Sequence, residues 1–262
     1  MPRFKLLIEY AGTRYRGWQI QKNARTVQGE IDRAIREVTK RREFELYGSG
    51  RTDAGVHALA QVAHLELYTD LPPEMLRRKL NDELPSDIHV RAIHAVPHKF
   101  HARHDAVARC YLYQIARRRT AFGKNVVWWI REPIDVEAMR AARSAFVGMK
   151  DFRAFTDDEP DEKSTRVLVD SIEIAESGAL VLIRVQGSHF LWKMVRRMVG
   201  VLAAVGRGDL KPSDAARLLQ HDEGPVTPAA LSAPAAGLFL EAVLYKGDAG
   251  PGPIRPVLIV DD

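Results

Sequence analysis

Residues 48–57, with the sequence GSGRTDAGVH, place a carboxylate and a guanidinium two positions apart among small side chains. The segment lacks the Lys-Ser/Thr pair that ends a phosphate-binding loop, and a strand rather than a helix is expected to follow it. In extended backbone, residues i and i+2 point to the same side, so Arg51 and Asp53 are expected to address one ligand. A turn in which Asp53 only caps its own backbone is the alternative, and it leaves Arg51 unexplained.

Periodic patterns in the rest of the chain predict the elements that must hold this loop. Alternating apolar residues predict strands over residues 4–10, 44–47, 60–67, 88–96, 108–115, 164–175, 179–186 and 238–245. Helical periodicity predicts helices over residues 27–38, 72–80, 134–147, 190–205 and 212–219, the first with Thr26 as its N-cap. The expected fold class is α+β, with largely antiparallel sheets flanked by helices.

The elements alternate in two comparable halves, which predicts two similar sub-domains. Residues 1–105 are expected to form an N-terminal α+β sub-domain that carries the Asp53 loop, and residues 106–246 a C-terminal α+β sub-domain. A cleft between two such sub-domains is the expected ligand site. The Gly- and Pro-rich segment 247–262 is expected to be a flexible tail.

Basic residues are concentrated in two stretches of the chain. Lys and Arg number 39 against 34 Asp and Glu, which permits a polyanionic partner without establishing one. Residues 98–119 hold six Lys or Arg and one Asp, and residues 187–208 hold four Lys or Arg and no acid. Because both stretches also carry aromatic residues, we interpret them as contacts for a phosphate backbone. The candidate contacts are Arg103, Arg109, Lys193 and Arg197.

The cysteine and histidine content argues against a metal or disulfide protein. Cys110 is the only cysteine, so neither an intrachain disulfide nor a Cys-based zinc site is expected, as in a reducing compartment. No His-Glu-x-x-His motif occurs, which predicts that the protein binds no metal. The N-terminal residues do not resemble a signal peptide, and no apolar run is long enough to cross a bilayer. We therefore expect a cytoplasmic protein, and the absence of cofactor motifs predicts no cofactor.

The motif GSGRTDAGVHA at residues 48–58 resembles the active-site motif of the tRNA pseudouridine synthase A family. The resemblance continues in family order at residues 10–13, 17–19, 26–28, 100–103, 111–113, 148–155, 190–200 and 233–240. The matches cover roughly residues 4–245, and they are specific jointly rather than singly. Ala11 departs from the pattern, because the family usually has Asp there, and Trp192-Lys193 stands where some members have His.

The resemblance implies a pseudouridine synthase fold and an isomerase, an intramolecular transferase acting on tRNA. Its expected reaction converts uridine to pseudouridine at about positions 38, 39 and 40 of the anticodon stem-loop, with the target base taken out of the stack. It implies Asp53 as the catalytic carboxylate and Arg196 as its ion-pair partner. Tyr111 is implied to lie against the uracil ring, and Arg51 to contact phosphate or fill the space left by the nucleotide. The family also implies a homodimer.

Two other functions fit parts of this pattern. A non-catalytic RNA-binding protein would explain the basic stretches, although no RNP-like aromatic stripe is evident. An Asp-dependent hydrolase such as a phosphatase would need several metal-binding carboxylates, and none clusters in sequence near Asp53. His57 invites a general-base role, but a structural histidine in the loop is the simpler interpretation.

Overall fold

The computed structural model describes residues 1–158, 164–220 and 226–261. The chain forms two compact units, the first made of Met1–Val107 with Phe239–Gly250, the second of Ala108–Leu238 with Pro251–Asp262. The sequence-predicted sub-domain 106–246 includes the closing strand, whereas nearly all of that strand belongs to the first unit here.

Ten strands and five α-helices make up the described part of the chain. The strands are β1 (Arg3–Tyr10), β2 (Glu45–Gly48), β3 (His57–Glu66), β4 (Ile88–Val96), β5 (Ala106–Ala116), β6 (Trp128–Trp129), β7 (Gly148–Asp151), β8 (Arg166–Ser177), β9 (Leu180–Gly187) and β10 (Leu238–Tyr245). The helices are α1 (Val27–Thr39), α2 (Pro73–Glu83), α3 (Val136–Ala142), α4 (Met194–Gly206) and α5 (Asp214–Leu219). Short 3-10 helices cover Gly12–Arg14, Arg143–Phe146, Arg153–Phe155 and Ala235–Gly237.

The first unit is a sheet with helices α1 and α2. Strand β1 lies between β4 and β3 and is antiparallel to both, β2 is antiparallel to β3, and β10 is parallel to β3. Alternate residues of β1 are buried, as the apolar pattern predicts. The predicted N-cap of α1 is confirmed, because Thr26 Oγ1 accepts a hydrogen bond from the Gly29 N–H at 3.2 Å.

The second unit is a sheet with helices α3, α4 and α5. Its strand order is β5-β9-β8-β7 with antiparallel pairing throughout, and β6 adds a short parallel partner to β5. The predicted helix over residues 134–147 is shorter as an α-helix and continues as the 3-10 helix Arg143–Phe146. The predicted helix over residues 190–205 begins only at Met194, because Lys193 adopts a left-handed conformation with φ +63°. Strands β6 and β7 were not predicted from sequence, since β6 has only two residues and β7, with the sequence GMKD, has a single apolar side chain and shows no alternation.

The C-terminal segment differs from the flexible tail that its composition suggests. The Ala179 N–H donates to the Val260 carbonyl at 2.8 Å, and the Val257 N–H donates to Gln114 Oε1 at 2.6 Å. Arg184 donates to the Gly252 carbonyl at 2.8 Å, and Val260 is buried. These partners belong to the second unit, so long-range hydrogen bonds order a segment whose own residues have little secondary-structure preference.

The predicted α+β class with largely antiparallel sheets flanked by helices is confirmed. Among residues 1–158, 164–220 and 226–261, no helix combines the length and the hydropathy that crossing a membrane requires.

Candidate active site

A tight turn between β2 and β3 presents Asp53. The Val56 N–H donates to the Asp53 carbonyl at 3.1 Å, which closes a four-residue β-turn from Asp53 to Val56. Gly55 occupies the third position with φ +79°, the value that a type II turn requires and that glycine adopts without strain. Asp53 is partly exposed, while Thr52 before it and Val56 after it are buried. The turn therefore holds a partly exposed aspartate between two fixed ends.

The segment that follows β1 packs directly against this turn. The Trp18 N–H donates to the Thr52 carbonyl at 3.1 Å, and the Gly55 N–H donates to the Tyr15 carbonyl at 3.2 Å. A β-carbon on Gly17, whose φ is +92°, would lie 2.5 Å from the Thr52 carbonyl oxygen and 3.2 Å from the carbonyl carbon of Asp53. Glycine is thus required at residue 17 both for its conformation and for the close approach of the two backbones.

Buried side-chain hydrogen bonds fix the residues just before Asp53. Thr52 Oγ1 and the Tyr10 hydroxyl share a hydrogen bond of 2.7 Å, and both residues are buried. Ser49 Oγ donates to Gln61 Oε1 at 2.8 Å, and Gln61 Nε2 donates to the Gly50 carbonyl at 3.1 Å. Strands β1 and β3 therefore hold the loop through hydrogen bonds that are buried or partly buried.

His57 performs a structural role at the other end of the turn. The Gly12 N–H donates to His57 Nδ1 at 3.0 Å, which requires that nitrogen to be unprotonated. The ring is 1% exposed and stacks on Phe239 with 4.7 Å between centroids. These contacts agree with the interpretation of His57 as a structural histidine rather than a general base.

The first unit also contains Arg51 and Arg103, two of the basic residues proposed from sequence. Both are exposed. Arg51 forms no ion pair or side-chain hydrogen bond with any residue that the structure describes. Its guanidinium, two residues before Asp53, is therefore available to an anionic ligand.

Arg196 is the one residue of helix α4, all of which is described, that is not buried. A helix that is apolar on every side belongs in a core, so the partial exposure of one arginine there is unusual. Arg196 Nε donates to the Ala233 carbonyl at 2.7 Å, and the Ala233 N–H donates back to the Arg196 carbonyl at 3.0 Å. A β-carbon on Gly200 would lie 1.8 Å from the Leu231 carbonyl oxygen, so the segment formed by residues 231–233 packs closely on α4. The segment therefore orients the guanidinium of Arg196.

Asp157 binds two basic residues at the start of α4, Lys193 just before the helix and Arg197 in its first turn. Its carboxylate accepts a hydrogen bond from Lys193 Nζ at 2.6 Å and forms an ion pair with Arg197. The hydrogen bond from Lys193, followed by that from Arg197, lowers the pKa of Asp157 below its usual range. The Arg197 side chain is only 4% exposed. The prediction that Arg197 contacts phosphate is therefore corrected: its guanidinium lies inside the unit and neutralises Asp157.

The two tyrosines of β5 occupy different environments. The Tyr111 side chain is partly exposed and meets Phe190 edge to face, with 5.3 Å between ring centroids. Tyr113 is fully buried and its hydroxyl donates to the Pro234 carbonyl at 2.8 Å, as expected for a core tyrosine. Arg109, another predicted phosphate contact, is partly buried and donates to the Ser188 carbonyl at 2.8 Å.

The predicted site residues thus fall into two groups, one in each unit. Arg51, Asp53 and Arg103 lie in the first unit, and Arg109, Tyr111, Lys193, Arg196 and Arg197 lie in the second. Sequence reasoning missed the Tyr10–Thr52 hydrogen bond and the contacts of Asp157, because their partners are distant in the chain. Within the described ranges, no group of three or more His, Cys, Asp or Glu side chains is arranged to hold a metal ion.

Comparison with known proteins gives a consistent match over most of the chain. The family model described as tRNA pseudouridine synthase matches residues 6–105 and 142–246. Proteins named tRNA pseudouridine synthase A are similar over nearly their whole length. The one from Pseudothermotoga lettingae is 38% identical over 93% of this chain and 99% of its own length. The one from Citrifermentans bemidjiense is 41% identical over 94% of this chain and 98% of its own length.

Proposed function

The chain belongs to the tRNA pseudouridine synthase family, and from that membership we propose that it isomerises uridine to pseudouridine in tRNA with Asp53 as the catalytic carboxylate. In this reaction the C1′–N1 glycosidic bond breaks, the uracil rotates, and a C1′–C5 bond forms. The proton on C5 is lost and N1 gains one, so the product is an isomer of the substrate. The observation that supports Asp53 is its position as a partly exposed residue in a turn that is fixed at both ends.

A carboxylate serves this reaction as a nucleophile or as a stabiliser of a cationic sugar. Attack on the sugar, attack on the base and elimination to a glycal are all compatible with this position. Once the site closes over a uracil, loss of water favours the protonated carboxyl unless a cation lies nearby. We assign that cation to Arg196, because its planar guanidinium can donate two hydrogen bonds to one carboxylate. We assign Tyr111 to the face of the uracil ring. Arg51 is assigned to an RNA phosphate or to the space of the flipped nucleotide.

The finer features of the substrate and assembly are also proposals. We assign the reaction to about positions 38, 39 and 40 of the tRNA anticodon arm, because the motifs resemble the family that acts there. Arg103, Arg109 and Lys193 are assigned to backbone phosphates, and the protein to the cytoplasm. A homodimer is expected, and activity that falls on dilution below the dimer dissociation constant would support a need for both subunits.

The decisive test compares Asp53→Asn with Asp70→Asn, an exposed residue of the same unit for which the structure shows no side-chain partner among described residues. Release of tritium from tRNA labelled at uridine C5 measures turnover, and reverse-transcription stops after carbodiimide treatment locate the product. Asp53→Asn should form no pseudouridine while still binding tRNA, and Asp70→Asn should match the wild type. If Asp53→Asn forms pseudouridine at the wild-type rate, the assignment of Asp53 as the catalytic carboxylate is wrong. Binding without turnover by the wild type would instead favour a non-catalytic RNA-binding protein.

A further inference from the structure

A small cavity opens on the side of the Asp53 turn that faces the segment after β1. It has a volume of about 230 Å³ and is lined by Thr13, Arg14, Tyr15, Arg16, Ala54 and Gly55. Ala54 and Gly55 are the two residues that directly follow Asp53. The cavity is below the range of roughly 300–1,000 Å³ that is typical of small-molecule sites. Its size and position suit a single charged group that belongs to a larger ligand.

Hydrogen bonds hold the walls of this cavity in place. The Tyr15 N–H donates to the Gly12 carbonyl at 2.9 Å, and the Arg16 N–H donates to the Arg25 carbonyl at 2.9 Å. The Tyr15 ring is 3% exposed, and its hydroxyl donates to Asp87. The backbone of both arginines is thus fixed relative to the turn, since the Gly55 N–H also donates to the Tyr15 carbonyl. A ligand bound here would be positioned relative to Asp53 as well.

The charges at the cavity are positive and are not neutralised by the protein. Arg14 and Arg16 are exposed, and neither forms an ion pair or a side-chain hydrogen bond with a residue in the described part of the chain. Residues 11–29 contain four Lys or Arg and no Asp or Glu, and of these four Arg25 forms an ion pair with Glu30 just after the stretch. The arginines of α1 and α2 instead form ion pairs with acidic neighbours, as Arg36 does with Asp32 and Arg77 with Glu74.

Two arginines in this position favour an anionic ligand. Like charges placed close together without counter-charges repel each other, and a bound anion relieves that repulsion. Guanidinium groups bind phosphate with planar, paired hydrogen bonds, which a lysine does not provide. We propose that Arg14 and Arg16 bind one phosphodiester of the RNA substrate at this cavity and so anchor the strand beside Asp53. The inference rests on the proposed function, because it takes RNA as the ligand.

The test measures the affinity of an anticodon stem-loop RNA as a function of KCl concentration. The variant is Arg14→Gln/Arg16→Gln, and the matched control is Arg41→Gln/Arg42→Gln. The control removes two exposed arginines of the same unit that also lack ion pairs among described residues and do not line the cavity. Because both double variants have two fewer positive charges, general electrostatic attraction changes equally in each.

We expect Arg14→Gln/Arg16→Gln to weaken binding about tenfold at 0.15 M KCl. The slope of log affinity against log salt should become shallower by about 0.7–0.9, the value for one phosphate that the protein no longer neutralises. The control should change affinity by less than about threefold, since charges away from the phosphate are screened. In turnover, the effect should appear in KM. Equal decreases in affinity for the two double variants, or a lower kcat with unchanged affinity, would overturn the proposal.

A second measurement identifies the phosphate. Stem-loop RNAs in which one phosphodiester at a time is replaced by a neutral methylphosphonate should bind the wild type more weakly at one linkage in particular. At that linkage the methylphosphonate should weaken binding by Arg14→Gln/Arg16→Gln very little, because this variant lacks the two arginines that bind the phosphate charge. Equal sensitivity of the two proteins at every linkage contradicts the proposal. If the wild type forms no pseudouridine, the proposed function fails, and this binding measurement still decides whether the arginines bind RNA phosphate.

Discussion

Replacing Gly17 by Ala tests whether the segment after β1 positions Asp53, the proposed catalytic carboxylate. An alanine at φ +92° adopts a backbone conformation that costs about 1–2 kcal/mol. Its β-carbon would also meet the Thr52 carbonyl oxygen at 2.5 Å, and backbone atoms must move to relieve this overlap. Overpacking of that kind typically costs about 1–3 kcal/mol. The expected decrease in the free energy of unfolding is therefore about 2–5 kcal/mol.

The same displacement of the backbone should lower the rate of the chemical step. The atoms that must move are the carbonyl oxygen of Thr52 and, at 3.2 Å, the carbonyl carbon of Asp53 itself. A misplacement of about 1 Å in a catalytic group lowers the rate by roughly 100-fold. We expect kcat for tritium release at saturating tRNA to fall by this order. Urea unfolding at 25 °C provides the stability measurement, and activity is read well below the unfolding midpoint.

Gly148→Ala is the matched control for backbone strain. Gly148 has φ +96°, but a β-carbon there would have no atom within 4 Å. This variant should be destabilised by only about 1–2 kcal/mol and retain wild-type kcat. Equal destabilisation at the two positions would show that the close approach to the Asp53 loop has no cost. A Gly17→Ala protein that is destabilised but fully active would refute the link between this approach and catalysis.

Three further predictions address buried polar groups. Thr52→Val should lower the free energy of unfolding by about 0.5–1.5 kcal/mol, because it removes the buried hydrogen bond between Thr52 and Tyr10, whereas Thr52→Ser should restore most of this in urea unfolding. Burial, and then the nearby charge of His101, lower the pKa of His64 below 6.5, so the unfolded chain binds that proton more readily. Unfolding free energy should therefore fall as pH drops from 7.5 through 6.5 to about 5, above the range of the carboxylates, and His64→Gln should flatten this slope. Asp157→Asn should lower the free energy of unfolding by about 3–5 kcal/mol, because Arg197 then stays buried without its counter-charge. Arg197→Met should lower it by less, because the Asp157 side chain that remains is 36% exposed. Equal urea midpoints for the two variants would contradict this.

Local sequence signals predicted the turn at Asp53 and most of the elements around it. The glycines of residues 48–57 indicated a tight loop before a strand, and Thr26 was correctly predicted as a helix cap. What the spacing did not reveal was the partner of each loop residue. Tyr10 and Thr52 are separated by 42 positions, and the antiparallel pairing of β1 with β3 brings Tyr10 next to the loop that precedes β3. Residue types alone do not specify such long-range pairs.

Helix α4 shows the same limit for a pair of adjacent arginines. Neighbouring residues on a helix point about 100° apart, so only one of Arg196 and Arg197 lies on a given face. The sequence offered both as functional residues, since the carboxylate that binds Arg197 is 40 positions away. Once Asp157 is placed, Arg197 is a buried structural residue and Arg196 is the one that keeps exposure. Burial, rather than charge, distinguishes the two.

The burial pattern around Asp53 explains how a short loop holds a reactive group accurately. Thr52 is tied to Tyr10, and His57 is tied to Gly12, so the chain is fixed on both sides of the turn by residues that flank the end of β1. Only residues 53–55 between them have exposure, and their backbone is restricted by the turn hydrogen bond and by the bond from Gly55 to the Tyr15 carbonyl. A segment this short has few conformations to lose when substrate binds, which lowers the entropic cost of ordering the carboxylate. The segment after β1 therefore helps to position the loop that carries Asp53, the proposed catalytic carboxylate.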